Sequence, residues 1–342
     1  MKTTYLTLLS ALFLAACGDK QPTLHVYNWD DYLNPDLITA FEEETGCRVV
    51  IDTFDSNEAM LAKLKAGASG YDLLVPSSYM VKILEREGMI IELDHSKLPN
   101  LKHVDTKYLE SLAFDKTMKW SVPYMMAPTA IAWNSEKVEG IEPTWAAFER
   151  ADLKGRITLL NDSRETIGAA LKYLGYSLNT VDDAQIEEAK QVVIGWKKNI
   201  AKFESDQYNA GLASNEFLLS QAYAGDAFQA QEENEAIEVA VPNEGTSIAV
   251  DDLVITKTAP NPELAYAFID FLTRPENAAE NMEYIYYLAP NSTAYDLVSD
   301  EFKEIDALFL DDETLAKCEM IDDLGEANAK YNAAWEAIKA AR

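Results

Sequence analysis

Three short apolar runs alternate with three helix-length stretches near the start of the chain, and this alternation restricts the fold more than any other feature. "TLHVYNW" reads as a strand, and "NPDLITAFEEETG" as a helix with Pro35 near its first turn and Gly46 at its end. "CRVVIDTF" is a second strand and "NEAMLAKLKAG" a helix closing on glycine. "YDLLVPSS" is a third apolar run, stopping at Pro76 and two serines before the helix "MVKILEREG". Strands this evenly apolar, separated by helices, predict a mostly parallel sheet covered on both faces. The pattern returns at "GRITLLND", which runs into the helix "SRETIGAALKYLG" and then the long amphipathic helix "DAQIEEAKQVVIGWKKNI", so a second α/β unit is expected. Two extended segments, "WSVPYMMAPTAIAWN" and "TSIAVDDLVITK", are suited to crossing between the units. A chain of 342 residues is also long for one core. Near the end, "NPELAYAFIDFLTRPENAAE" reads as a helix stopped before Pro275, and "NAKYNAAWEAIKAAR" as another.

The first residues read as an address. Lys2 precedes an apolar run from Tyr5 to Leu14, too short for a membrane span of roughly 20 residues. The run ends at Leu14-Ala15-Ala16-Cys17, the pattern of a bacterial lipoprotein signal, with Cys17 as the residue to be lipidated. Cys47 and Cys318 remain, too few for a disulfide framework, and two unpaired thiols are expected. With three histidines and no Cys/His cluster, a transition-metal site is not expected, nor is any cofactor. Acidic residues outnumber basic ones 58 to 29, giving a formal charge of −29 that argues against nucleic acid and favours cations, although acidity also serves solubility.

In open α/β sheets, ligands bind beyond the carboxyl ends of strands, so the residues just after each apolar run are the candidates. They are Trp29, Asp30, Asp31 and Tyr32, then Ser77 and Tyr79, then Asp162 and Glu165, then Tyr223 and Asp226, with Asp251 on the return crossing and Tyr287 after it. Carboxylates and aromatic rings recur there while Lys and Arg are almost absent, Arg164 excepted. This combination suits an organic cation: carboxylates bond ammonium groups, and ring faces attract them by about 0.5 to 2 kcal/mol. Each residue also has a structural alternative. Asp162 and Glu165 have the spacing of a helix capping box, and Asp30 or Asp31 could serve a turn. Ser77 could be a helix cap, and Tyr223 and Tyr287 could be core aromatics. No dinucleotide, Walker, nucleophile-elbow or zinc-protease motif occurs, so an enzyme is not expected.

"YNWDDYLNPDLITAFEEETG", "YDLLVPSSYMVKILEREGMI", "LLNDSRETIGAALKYLGYS" and "AFIDFLTRPENAA" resemble the spermidine/putrescine-binding proteins of bacterial ABC importers, from about Leu24 to the C-terminus. The resemblance implies an α/β fold of two lobes that close on ligand, joined by extended crossings. It divides the chain into a signal peptide (1–16), a lipid-anchored tether (17–23), a first lobe (24–127 and 249–296) and a second lobe (128–248 and 297–342). It implies a polyamine ligand, an ABC permease as partner, an extracytoplasmic location and a monomer. Trp29, Asp31 and Tyr32 would contact the polyamine from the first lobe with Ser77 and Tyr79, and Asp31 rather than Asp30 matches the family's carboxylate. Asp162 and Glu165 would hold an ammonium from the second lobe beside Tyr223, Asp251 would bind an amine near the middle, and Tyr287 would close one side. Two positions depart from the pattern. Ala249 stands where relatives place a Trp, and Ile321 where they place a Gln, leaving open a different polyamine or another cation. A basic amino acid would need a partner for its carboxylate, for which Arg164 is the visible candidate, and a role in protein interaction is the remaining alternative.

Overall fold

The computed structural model describes residues 21–111 and 114–341, so the expected signal peptide, Cys17 and most of the tether lie outside the described residues. Ten strands occur among those described: β1 (Thr23–Asn28), β2 (Arg48–Thr53), β3 (Leu73–Leu74), β4 (Val122–Asn134), β5 (Ile157–Leu159), β6 (Ile200–Phe203), β7 (Leu219–Tyr223), β8 (Ile237–Ala240), β9 (Ser247–Ile255) and β10 (Glu319–Met320). The main path runs β2-β1-β3-β9-β4-β7-β5-β6, with β8 beside β4 and β10 beside β9. Both outer ends are parallel, as the apolar runs predict. The middle is not, because β9 returns antiparallel to β3 and to β4, and β4 is antiparallel to β7 and β8. The two expected crossings are β4 and β9, hydrogen-bonded to each other from Val122↔Leu253 to Pro128↔Ile248.

Alternation along the strands sends side chains to opposite faces and explains why the sheet needs helices on both. In the first lobe Leu24, Val26 and Leu73 enter one core with Leu37 and Phe41, while Tyr27 and Leu74 enter another with Met80 and Leu84. The second lobe repeats this: Ile157 and Leu159 pack with Ile167 and Trp196, and Leu160 with Tyr208 and Phe217. Cys47 is buried against the first core, and both Cys47 and Cys318 are free thiols.

Three details differ from the sequence reading. The third strand shrinks to two residues, since Pro76 and the serines end it early. The stretch after Asn261 is two helices, Pro262–Leu272 and Pro275–Ile285, because a proline that stops one helix is well placed in the first turn of the next. The chain after residue 296, expected wholly in the second lobe, divides. Val298, Phe302 and Leu308 pack into the first-lobe core, and Tyr331, Trp335 and Ile338 into the second.

A buried hydrogen-bond chain holds the loop after β1 to this frame. The Asn34 N–H donates to Asn281 Oδ1 at 2.8 Å, Asn281 Nδ2 donates to the Tyr124 hydroxyl at 2.8 Å, and that hydroxyl donates to the Tyr32 carbonyl at 3.0 Å. Asn281→Leu leaves these groups buried and unpaired, so it should lower the unfolding free energy by about 1–3 kcal/mol in denaturant titrations; a loss well under that would show the chain is not needed.

Candidate ligand-binding cleft

All twelve residues singled out in the sequence line one cavity, formed by both lobes: Trp29, Asp30, Asp31, Tyr32, Ser77, Tyr79, Asp162, Glu165, Tyr223, Asp226, Asp251 and Tyr287. The space open to the centre of a water molecule is about 70 Å³. At roughly 10–15 Å³ per water on that measure, one small molecule fits and a macromolecular segment does not. Eight carboxylates and six aromatic rings line it, and among the described residues no Lys, Arg or His does.

The local structure resolves several of the alternatives. Asn34, not an aspartate, caps the helix after "YNWDDYLNP", accepting from the Asp36 N–H at 2.9 Å. Asp30 and Asp31 are therefore left exposed at the cleft, with Asp31 at φ +46°, a conformation that Asp tolerates better than most residues. Trp29 lies against Phe54 with ring centroids 4.4 Å apart. Ser77 precedes a helix without capping it; its hydroxyl instead donates to Asp251 Oδ1 at 2.7 Å. Asp162 both caps and lines: its Oδ1 accepts from the Arg164 and Glu165 N–H groups at 2.8 and 3.0 Å. Glu165 does not complete a capping box. Its Oε2 accepts from Thr129 Oγ1 at 2.8 Å and from the Ser247 hydroxyl. Arg164 is absent from the cavity wall, because its guanidinium donates to the Asp322 carbonyl at 2.9 Å and to Asn179 Oδ1 at 2.9 Å, with Tyr331 beneath it at 4.7 Å.

The buried acids are solvated by hydroxyl groups. Asp251 Oδ2 accepts from Tyr32 at 2.8 Å, and Asp226 accepts from Tyr208 at 2.6 Å and Tyr287 at 2.8 Å. Behind the wall, Asp252 accepts from Ser78 and Ser121. Burial dominates their acidity. It pushes Asp251 and Asp226 up to about 6 and Asp252 to about 7, despite the hydroxyl bonds that pull the other way. Burial and then the Asp162 charge push Glu165 to about 7, and the same two causes act on Glu58 to about 7. The acids fall into two interacting groups, Asp226 with Asp251, and Asp162 with Glu165 and with Glu58, which does not itself line the cavity. Tyr223 lines the same cavity, and burial, then the nearby Asp162 and Glu165 charges, hold its hydroxyl well above its ordinary pKa.

The profile of the bacterial extracellular solute-binding protein family matches residues 36–309. The chain belongs to that family. It is a two-lobed, extracytoplasmic solute-binding protein and not an enzyme. Among its relatives are a putrescine/cadaverine-binding protein of Pseudomonas aeruginosa, 36% identical with 97% of each chain covered, and a spermidine/putrescine-binding periplasmic protein of Escherichia coli, 38% identical over 96% of this chain and 94% of that one. A solved structure described as a putative spermidine/putrescine ABC transporter from Listeria monocytogenes superposes with a TM-score of 0.88 at 37% identity, over 94% of this chain and 100% of that one. The resemblance drawn from the motifs thus extends over nearly the whole chain.

Sequence reasoning missed Asp55, Asp206 and Glu58. Asp55 and Asp206 line the cavity just after β2 and β6, where the strand-end rule finds the others. Glu58 sits in the first turn of the helix Asn57–Lys65, so its pattern is that of an ordinary helix-dipole charge. The fold instead brings it under the Tyr79 hydroxyl, which donates to Glu58 Oε1 at 3.2 Å. Because Asp226, Asp251 and Glu165 keep their protons to higher pH when folded than when unfolded, their stabilising contribution is complete below about pH 4 and is lost as pH rises through about 6 and 7. The thermal midpoint of the ligand-free protein should therefore be higher at pH 5 than at pH 8, and Glu165→Gln should flatten that slope. A midpoint that rises from pH 5 to 8 contradicts the burial described.

Proposed function

We propose that the chain captures a short linear polyamine, putrescine or spermidine, between its lobes and delivers it to an ABC permease. The observation that carries this reading is the lining itself: eight carboxylates and, among the described residues, no basic side chain, arranged with aromatic faces around a small cavity. The carboxylates of each group that line the cavity offer a terminal ammonium charge-assisted bonds, and Tyr223 in the same lining offers its ring to the methylene chain. In this reading Trp29, Asp31, Tyr32, Ser77 and Tyr79 contact the ligand from the first lobe, Asp162, Glu165, Tyr223 and Asp226 from the second, and Asp251 and Tyr287 from the return of the chain, with Asp30 in a lesser role. The relatives that bind putrescine, cadaverine and spermidine support the ligand class. A basic amino acid is disfavoured, since Arg164, the cation that could receive its carboxylate, is engaged with Asp322 and Asn179. The protein acts as a monomer held to a membrane through lipid on Cys17.

Isothermal titration with putrescine, cadaverine, spermidine and lysine tests the ligand. A polyamine should bind and lysine should not, affinity should fall with salt, and it should rise from pH 5.5 to 8 as the acids ionise. Asp251→Asn should weaken polyamine binding by about tenfold or more, because it removes a buried counter-charge. Absence of heat with every polyamine overturns the assignment. For the anchor, Cys17→Ser should move the protein from the membrane to the soluble fraction of cells; unchanged partitioning would remove lipidation from the account.

A further inference from the structure

Residues 319–323 bridge the lobes beside the cavity. Their backbone belongs to the second lobe: Glu319 pairs with Lys172 at 2.7 Å, Asn179 Nδ2 donates to the Met320 carbonyl at 2.8 Å, the Asp322 N–H donates to Asn179 Oδ1 at 3.0 Å, and Arg164 holds the Asp322 carbonyl. Their side chains reach the first lobe. Ile321 packs against the core that contains Tyr79 and Met80, while Leu324, just beyond, packs against the second-lobe core. Met320 and Ile321 also line the cavity. Asp323 is divided between the lobes atom by atom. Oδ1 accepts from the Gly325 N–H at 3.0 Å and Asn328 Nδ2 at 2.6 Å, and Oδ2 pairs with Arg86 at 3.1 Å and Lys82 at 4.0 Å, both on the first-lobe helix Ser78–Arg86. The Asp323 side chain is 2% exposed, so this charge is shielded from solvent and salt. Lys82 also stands 3.9 Å from Asp322.

We propose that residues 319–323 are a strap that locks the closed lobes over the ligand, and that Lys82 and Arg86 are positioning residues that set how slowly the ligand leaves. The two residues that wall the cavity are followed directly by the two that hold the opposite lobe, so occupancy and closure act on one segment. The link to ligand release rests on the polyamine reading above; the lobe contact does not. Neither Lys82 nor Arg86 lines the cavity, so removing them should leave ligand contacts intact.

Stopped-flow fluorescence with putrescine tests this. In K82A/R86A, dissociation should accelerate by about tenfold while association changes by less than about twofold, and R86K alone should stay near wild type. D323N keeps an oxygen for Gly325 and Asn328 but loses the charge, and should match the double variant. Equal dissociation rates in wild type and K82A/R86A overturn the strap and leave the polyamine reading standing. If wild type binds no polyamine, that reading fails alone, and small-angle scattering of the ligand-free proteins decides the strap. The double variant must then show a larger radius of gyration, and an unchanged radius overturns it.

Discussion

The cleft depends on the way its buried carboxylates are solvated without being neutralised. An ionised carboxylate in a dry site costs several kcal/mol unless it is paired or takes a proton. A lysine or arginine at each acid would meet that cost and leave no charge for a ligand. Here Asp251, Asp226, Glu165, Glu58 and Asp252 each take hydroxyl donors instead. A hydroxyl donates to an ionised carboxylate and accepts from a protonated one, so one arrangement serves both states. The acids are therefore held in place, partly protonated near neutrality, and ready to ionise when a cation arrives.

That requirement reaches into the fold. The donors come from Tyr32 after β1, Ser77 after β3, Thr129 on β4, Tyr208 on a second-lobe helix, Ser247 on β9 and Tyr287 beyond it. Only paired crossings that place β4 beside β9 bring these together. On β9, Asp251 and Asp252 point to opposite faces as neighbours in a strand must, and the adjacent Ser77 and Ser78 meet one each. Packing is equally close at Tyr287. A Cβ on Gly225 would lie 2.0 Å from its ring, so glycine is what lets the helix carrying Asp226 approach the hydroxyl that Asp226 accepts.

Much of this was legible because strand ends are both a fold signal and a site signal. Apolar runs located β1, β2 and β5, and the residues after them proved to share a cavity. Local patterns could not resolve functions that coexist at one residue. Asp162 uses one oxygen as a helix cap and still lines the cleft, so capping and lining were never exclusive there. They were also blind to partners distant in sequence. Nothing near Glu58 signals that Asp162 lies close enough to weaken its acidity, and nothing near Arg164 signals that Asp322 and Asn179 turn it from the cleft. The division of the chain after residue 296 between two cores has the same cause, since amphipathic helices record that a face is buried but not against which lobe.

The two positions that depart from the resemblance both line the cavity. β10 runs parallel to β9 with Glu319 opposite Ser247 and Met320 opposite Ile248, and Ile321 and Ala249 are the next residue on each. Ile248, Ala249, Val250, Met320 and Ile321 all line the cavity and give part of its wall an apolar surface. Such a wall covers methylenes by dispersion and exclusion of water, worth about 0.8 kcal/mol per buried CH₂, but gives an ammonium nothing. Cation recognition is thereby left to the carboxylates and to rings elsewhere in the lining, Trp29, Tyr79 and Tyr223 among them. A ligand fits this division when its charges lie at the ends and its middle is plain hydrocarbon, as in a diamine. A charge in the middle of the chain would have to turn from the wall toward Asp251 to find a partner.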